Sequence, residues 1–80
     1  MLTFSEALEI IKDGGMVRRK EWNGKGMFIC LIRSGNALYG SLEMQDCIGM
    51  KTASPRGEMQ PGWLASQADL LSNDWEEVVE

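Results

Sequence analysis

At 80 residues and 8.9 kDa, the chain has room for one domain, spanning residues 1–80. Hydrophobic residues make up 44% and charged residues 25%, a mix that folds rather than staying disordered, and the net charge is −4. The charge is unevenly spread: residues 1–40 hold six Lys/Arg against four Asp/Glu, and residues 41–80 hold two against eight, giving +2 and −6. A chain with a pI near 4.7 is a poor binder of long nucleic acid, whose affinity rests on neutralising many phosphates, but it can hold a small anion in one local pocket.

A domain this small buries only about 60% of the surface its unfolded chain exposes, so a disulfide, a metal or self-association is expected to supplement the core. Cys30 and Cys47 have no C-x-x-C spacing and the chain has no histidine, which leaves no Cys/His zinc site. The opening Met1-Leu2-Thr3-Phe4-Ser5-Glu6 lacks a basic stretch leading into an apolar one, so no secretory signal is expected and the thiols are expected to be reduced and cytosolic. The longest apolar run, Met27 to Ile32, falls far short of the roughly 20 residues of a membrane helix, so no membrane partner is expected. Self-association is the stabiliser that remains. Without histidine there is no Ser-His-Asp or Cys-His nucleophile and no imidazole base, and no P-loop or Rossmann glycine motif occurs. Catalytic residues, metal and cofactor are therefore all expected to be none, and a binding role is favoured over an enzyme.

In chain order, Thr3 and Glu6 fit a capping box, and Phe4, Ala7, Leu8 and Ile11 follow at helical spacing, predicting a helix over residues 4–13 that Gly14-Gly15 ends. Met16 to Lys20 reads as a short strand with Val17 and Arg19 on one face and Met16, Arg18 and Lys20 on the other. A turn at Trp22-Asn23-Gly24-Lys25-Gly26 leads into the best strand, Met27 to Arg33, which is apolar throughout and expected to be buried on both faces. One short helix covers one face, and a second copy of the chain is the expected cover for the other. Weaker strands follow around residues 37–42 and 47–52, then a turn at Ser54-Pro55-Arg56-Gly57, a short helix from Trp63 to Leu71 and a last strand over residues 75–79. The fold class is α+β: an N-terminal helix on a twisted antiparallel sheet, with a second short helix before the last strand.

Three tryptophans in so short a chain are a large aromatic investment. Trp75, opening an apolar strand, is expected in the core. For Trp22 and Trp63 both packing and stacking on a base remain open, since indole faces make good base platforms. Within Arg18-Arg19-Lys20, strand alternation lets only part of the cluster meet one phosphate, while Lys25 in its glycine loop and Lys51 beside Thr52 are the better candidates for isolated phosphate ligands. Ser66 and Asp69 either cap the second helix or, with Gln67, read ribose hydroxyls and base edges.

Taken together, Val17-Arg18-Arg19-Lys20-Glu21-Trp22, Asn23-Gly24-Lys25-Gly26-Met27-Phe28, Met50-Lys51-Thr52, Trp63-Leu64-Ala65-Ser66-Gln67-Ala68-Asp69-Leu70-Leu71 and Asp74-Trp75 resemble, in order along nearly the whole chain, the second Thoeris anti-defence family of bacteriophages. That resemblance implies a homotetrameric sponge in the host bacterial cytoplasm. Such a sponge binds cyclic ADP-ribose isomers in pockets between subunits and sequesters them uncleaved; related members are implied to capture cyclic dinucleotides. Carried over residue by residue, the ligand set is Trp22 and Trp63 on adenine, Arg19, Lys25 and Lys51 on the pyrophosphate, and Asn23, Thr52, Ser66, Gln67 and Asp69 on ribose or base edges, with Met27 beside them. Residues 35–46 carry no family pattern, and Gly49 stands where members often have a bulkier residue. The alternative from another class is a non-enzymatic adaptor that uses its tryptophans as anchors for a partner protein.

Overall fold

The computed structural model describes residues 1–22, 26–35 and 37–79. The elements run α1 (Phe4–Lys12), β1 (Met16–Arg19), β2 (Phe28–Ile32), β3 (Leu38–Tyr39), β4 (Leu42–Glu43), β5 (Cys47–Lys51), β6 (Met59–Pro61), α2 (Gln67–Leu71) and β7 (Trp75–Val78). Strands β6-β5-β2-β1-β7 form one antiparallel sheet in that order, and β3-β4 form a separate hairpin. The α+β class, with a helix first and a short helix before the last strand, is as the sequence predicts.

Helix α1 starts where its capping box places it. Thr3 Oγ1 accepts from the Glu6 amide at 3.3 Å, and a Glu6 carboxylate oxygen accepts from the Thr3 amide at 3.0 Å. The helix ends at Asp13, whose amide donates to the Glu9 carbonyl, and Gly14 then takes φ +92°, a conformation that a side chain would strain.

Strand register sorts the side chains into two faces. Val17 lies opposite Ile29, Arg19 opposite Trp75, Ile29 opposite Met50 and Leu31 opposite Ile48. Paired residues share a face, so these seven side chains look toward α1. There Ala7, Ile11, Val17, Ile29 and Trp75 form the fully buried core. Met16, Arg18, Phe28, Cys30, Ile32, Cys47, Gly49, Lys51, Glu76 and Val78 point to the opposite face.

Three local differences have physical causes. Of the β2 strand expected to be buried on both faces, only Ile29 is fully buried, because α1 covers one side and, among the described residues, no element covers the other. The single weak strand expected near residues 37–42 is a hairpin, closed by Gly40 at φ +63°. The second helix is confined to Gln67–Leu71, because the Trp63 amide donates to the Ile48 carbonyl at 2.8 Å and prolongs the sheet edge through the residues that would begin a longer helix. Strand β6 had no clear sequence signal: Pro61 suits only an edge strand, and β6 is the edge.

Candidate functional site

Antiparallel pairing gathers the candidate residues at one end of the sheet. Arg19 at the end of β1 pairs with Trp75 at the start of β7, and Phe28 at the start of β2 pairs with Lys51 at the end of β5, with Met59 of β6 beyond Lys51. Half-buried Trp22 and Met27 lie on the chain between β1 and β2 at this same end. Asn23 and Lys25 fall outside the described residues.

On the helix face, four aromatic rings pack on one another. Trp75 is central: its ring centroid lies 5.3 Å from Phe4, 5.3 Å from Trp22 and 6.2 Å from Trp63, and the two tryptophans meet it edge-on. Trp22 and Trp63 contact each other at 6.4 Å, again edge to face. Such tilted contacts are the favourable geometry for ring quadrupoles. Trp75 is wholly enclosed, while Trp22 and Trp63 are half-buried.

Arg19 shows what an arginine on a core face requires. The residue is buried, 8% exposed, and its guanidinium donates from Nε to Asp74 Oδ1 at 2.9 Å, from Nη1 to Asp69 Oδ1 at 3.1 Å, and from Nη2 to Glu21. These carboxylates, Asp74 foremost, raise its pKa against the opposing effect of burial. The guanidinium is therefore committed to protein carboxylates. Asp74 is held below the usual carboxylate range chiefly by the Arg19 hydrogen bond. Burial of Asp69 opposes ionisation, but bonds from Ser66 and Arg19 together outweigh it and leave that carboxyl lowered too.

Asp69 has further duties. Its Oδ2 accepts from the Ser66 amide at 3.1 Å while its own amide donates to Ser66 Oγ at 3.1 Å, closing the capping box of α2. Its carbonyl accepts from Trp75 Nε1 at 2.9 Å. Arg19, Ser66 and Asp69 thus form one brace that joins β1, α2 and β7 and holds the tryptophan cluster from below. Gln67, in the first turn of α2, is exposed. The partners Asp74 and Glu21 were missed from sequence, although strand alternation already put Arg19 on the apolar face, where a buried guanidinium demands carboxylates.

Lys51 stands differently. Its side chain runs between Gly26 and Gly57: a Cβ on Gly26 would sit 3.3 Å from Nζ, and one on Gly57 would sit 3.7 Å from Cε. Nζ donates to the Thr52 carbonyl at 3.4 Å, and among the described residues no carboxylate lies within ion-pair distance of it. Thr52 Oγ1 accepts from the Ser54 amide at 3.3 Å and shapes the turn that carries Gly57. Lys51 shares the uncovered face with Phe28, whereas Trp22 and Trp63 pack on the covered one. One copy of the chain therefore brings Trp22, Trp63, Arg19, Ser66 and Asp69 together but presents Lys51 on the other side. Cys30 and Cys47 are free and also on the uncovered face, and burial pushes the Cys30 thiol up.

With this geometry set out, two comparisons bear on it. The model of a family described as Tad2-like, Thoeris anti-defense 2-like domain, matches residues 2–78. A protein of Bacillus phage SP01 named Thoeris anti-defense 2 is 36% identical over 88 residues, covering 96% of this chain and 94% of that protein.

Proposed function

The chain belongs to the Thoeris anti-defense 2-like family, and from that premise we propose that this phage anti-defence protein is a sponge. It binds a cyclic ADP-ribose-type signalling nucleotide inside the host, holds it intact and so denies it to the Thoeris effector. The observation that carries this reading is the presence, on a chain aligned almost end to end with a Thoeris anti-defense 2 protein, of two half-buried tryptophans in mutual contact and of a lysine that has no carboxylate partner among the described residues. Rings of this kind stack on adenine, and a lysine of this kind meets a pyrophosphate.

In this reading Trp22, Trp63, Lys51, Thr52 and Gln67 touch the ligand, joined by Met27, Asn23 and Lys25. Arg19, Ser66 and Asp69 position the tryptophans and α2, since contact with a ligand would cost them their bonds to one another. Because the tryptophans and Lys51 lie on opposite faces of the sheet, a ligand engaging both is held between copies of the chain, as in a homotetramer with shared pockets. Binding without turnover is in keeping with a chain that has no histidine.

The test is a thermal melt with cyclic ADP-ribose isomers, cyclic dinucleotides and linear ADP-ribose in parallel. A ligand at 100 times its Kd adds about 2.7 kcal/mol of stability, and the cyclic ADP-ribose arm is expected to show it. Heat-denaturing the complex is expected to release the ligand intact, with Lys51→Ala weakening binding and flattening its salt dependence. Recovery of a linear product would make the protein an enzyme. A response to cyclic dinucleotides alone would change the ligand, and no response to any nucleotide would favour the adaptor.

A further inference from the structure

Past β1 the chain folds back on itself in a turn that delivers Trp22, the Trp22 amide donating to the Arg19 carbonyl at 3.1 Å. The two amides before it both end on Asp74, the residue that leads into β7. That of Lys20 donates to the Asp74 carbonyl at 3.0 Å, and that of Glu21 to Asp74 Oδ2 at 3.3 Å. Asp74 Oδ1 meanwhile accepts from Arg19 Nε at 2.9 Å. One carboxylate therefore grips the turn twice, through the Arg19 side chain where the turn begins and through the Glu21 main chain one residue before Trp22.

The surroundings of the Trp22 ring give that grip its consequence. Trp22 is half-buried and meets Trp75 edge-on at 5.3 Å and Trp63 at 6.4 Å. Those two neighbours are anchored independently of it, Trp75 by its Nε1 bond to the Asp69 carbonyl and Trp63 by its amide bond to the Ile48 carbonyl. Edge-to-face contacts lose their favourable geometry when one ring tilts or slides. Where the turn sits thus decides how Trp22 stands against the other two rings, and Asp74, directly before Trp75, ties the turn to the central one.

The carboxylate is the group suited to this. Each of its oxygens accepts from a different donor. An asparagine has one acceptor oxygen, and its NH2 would face either the guanidinium or the Glu21 amide, donor against donor. Glu21 differs: its carboxylate, on a side chain 72% exposed, meets only Arg19, and its link to Asp74 runs through the main chain.

We propose that Asp74 is a positioning residue for ligand capture, setting the Trp22 ring through Arg19 and the Glu21 amide. The inference rests on the sponge reading, in which Trp22 stacks on a base.

Calorimetric titration with cyclic ADP-ribose isomers, in the cold and well below every melting midpoint, would test it on the parent, Asp74→Asn, Glu21→Gln and Leu8→Ala. Glu21→Gln removes one negative charge from the same cluster but keeps an oxygen for Arg19 and the main-chain bond. Leu8→Ala weakens the packing of a half-buried α1 residue on the core. Removing a stacked ring weakens nucleotide binding by about 5-fold to 150-fold. Asp74→Asn is accordingly expected to bind at least fivefold more weakly than the parent, and the other two variants within twofold of it. Near-UV circular dichroism supplies a signature that stability alone does not move: Asp74→Asn is expected to shift the indole bands toward the spectrum of Trp22→Ala, and Leu8→Ala to leave them in place. Should Asp74→Asn show no cooperative melt, Asp74→Glu, which keeps the charge but carries its oxygens one methylene further out, is judged by the same two readouts. Parent-like binding or parent-like bands in the Asp74 variant overturn the inference. So does an equal loss in Glu21→Gln, which would assign the effect to charge, or in Leu8→Ala, which would assign it to stability. A parent that binds no nucleotide sinks the sponge reading and this inference with it, whereas a binding parent matched by its Asp74 variant sinks this inference alone.

Discussion

Gly49, at the centre of β5, is the position where one added carbon has the most calculable effect. It is buried, and a Cβ there would stand 2.1 Å from Ile32 Cδ1, 2.9 Å from Ile32 Cγ1 and 3.1 Å from the Gln60 carbonyl oxygen. The Ile32 side chain, on the neighbouring strand, fills the space that a residue with a side chain would need. Overpacking of this kind costs about 1–3 kcal/mol, and replacing a strand glycine by alanine returns about 0.5–1 kcal/mol of backbone entropy. Gly49→Ala is therefore expected to destabilise by about 1–2 kcal/mol, a fall in Tm of about 4–8 °C for each kcal/mol in a domain of this size. Ile32→Ala, at a half-buried site, should cost about 1–2 kcal/mol, below the 2–5 kcal/mol of a fully buried residue. In the Ile32→Ala background the main clash is gone, so Gly49→Ala becomes neutral or slightly stabilising. Urea unfolding followed by tryptophan fluorescence at fixed protein concentration gives all four corners of the cycle. Additivity of the two changes within about 0.3–0.5 kcal/mol would refute the idea that Ile32 occupies the Gly49 site.

Further outcomes follow from the tryptophan cluster and the carboxylates around Arg19. Asp69 and Asp74 have folded pKa values below their unfolded ones, so the stability they contribute is fully present above the unfolded value near about 3.9 and is lost as pH falls through the folded values. Asp69→Asn and Asp74→Asn should each lower stability at neutral pH and flatten the acid limb of a stability profile, and a parent profile flat below pH 4 would contradict this. Trp75→Ala should cost about 3–5 kcal/mol and unfold the chain, as expected for a wholly buried ring. Trp22→Ala, which removes a half-buried ring, should cost about 1–2 kcal/mol and leave a folded protein that denaturant titration can measure.

Local chemistry decided much of this protein before any tertiary contact formed. The Thr3 and Glu6 pair marks the start of α1, Gly14 its end, and Ser54-Pro55-Arg56-Gly57 a turn, closed by the Gly57 amide on the Ser54 carbonyl at 2.9 Å. Each depends on neighbours a few residues apart, which the order of residues specifies directly. Alternation likewise placed Val17 and Arg19 on one face of β1. What alternation lacks is the identity of the element facing them, and only the fold brought Asp69 and Asp74, 50 and 55 residues away, onto the guanidinium. The same limit applies to Lys51 and the tryptophans: their residue types suggested one ligand site, but strand register, a property of pairing across the sheet, put them on opposite faces. Residues 35–46 carried the weakest signal, because a two-pair hairpin has too few alternating positions to stand out, and its apolar face became visible only when the structure left it uncovered. Conformation is set locally where the deciding partners are close along the chain, and folding decides wherever a side chain's environment comes from another strand.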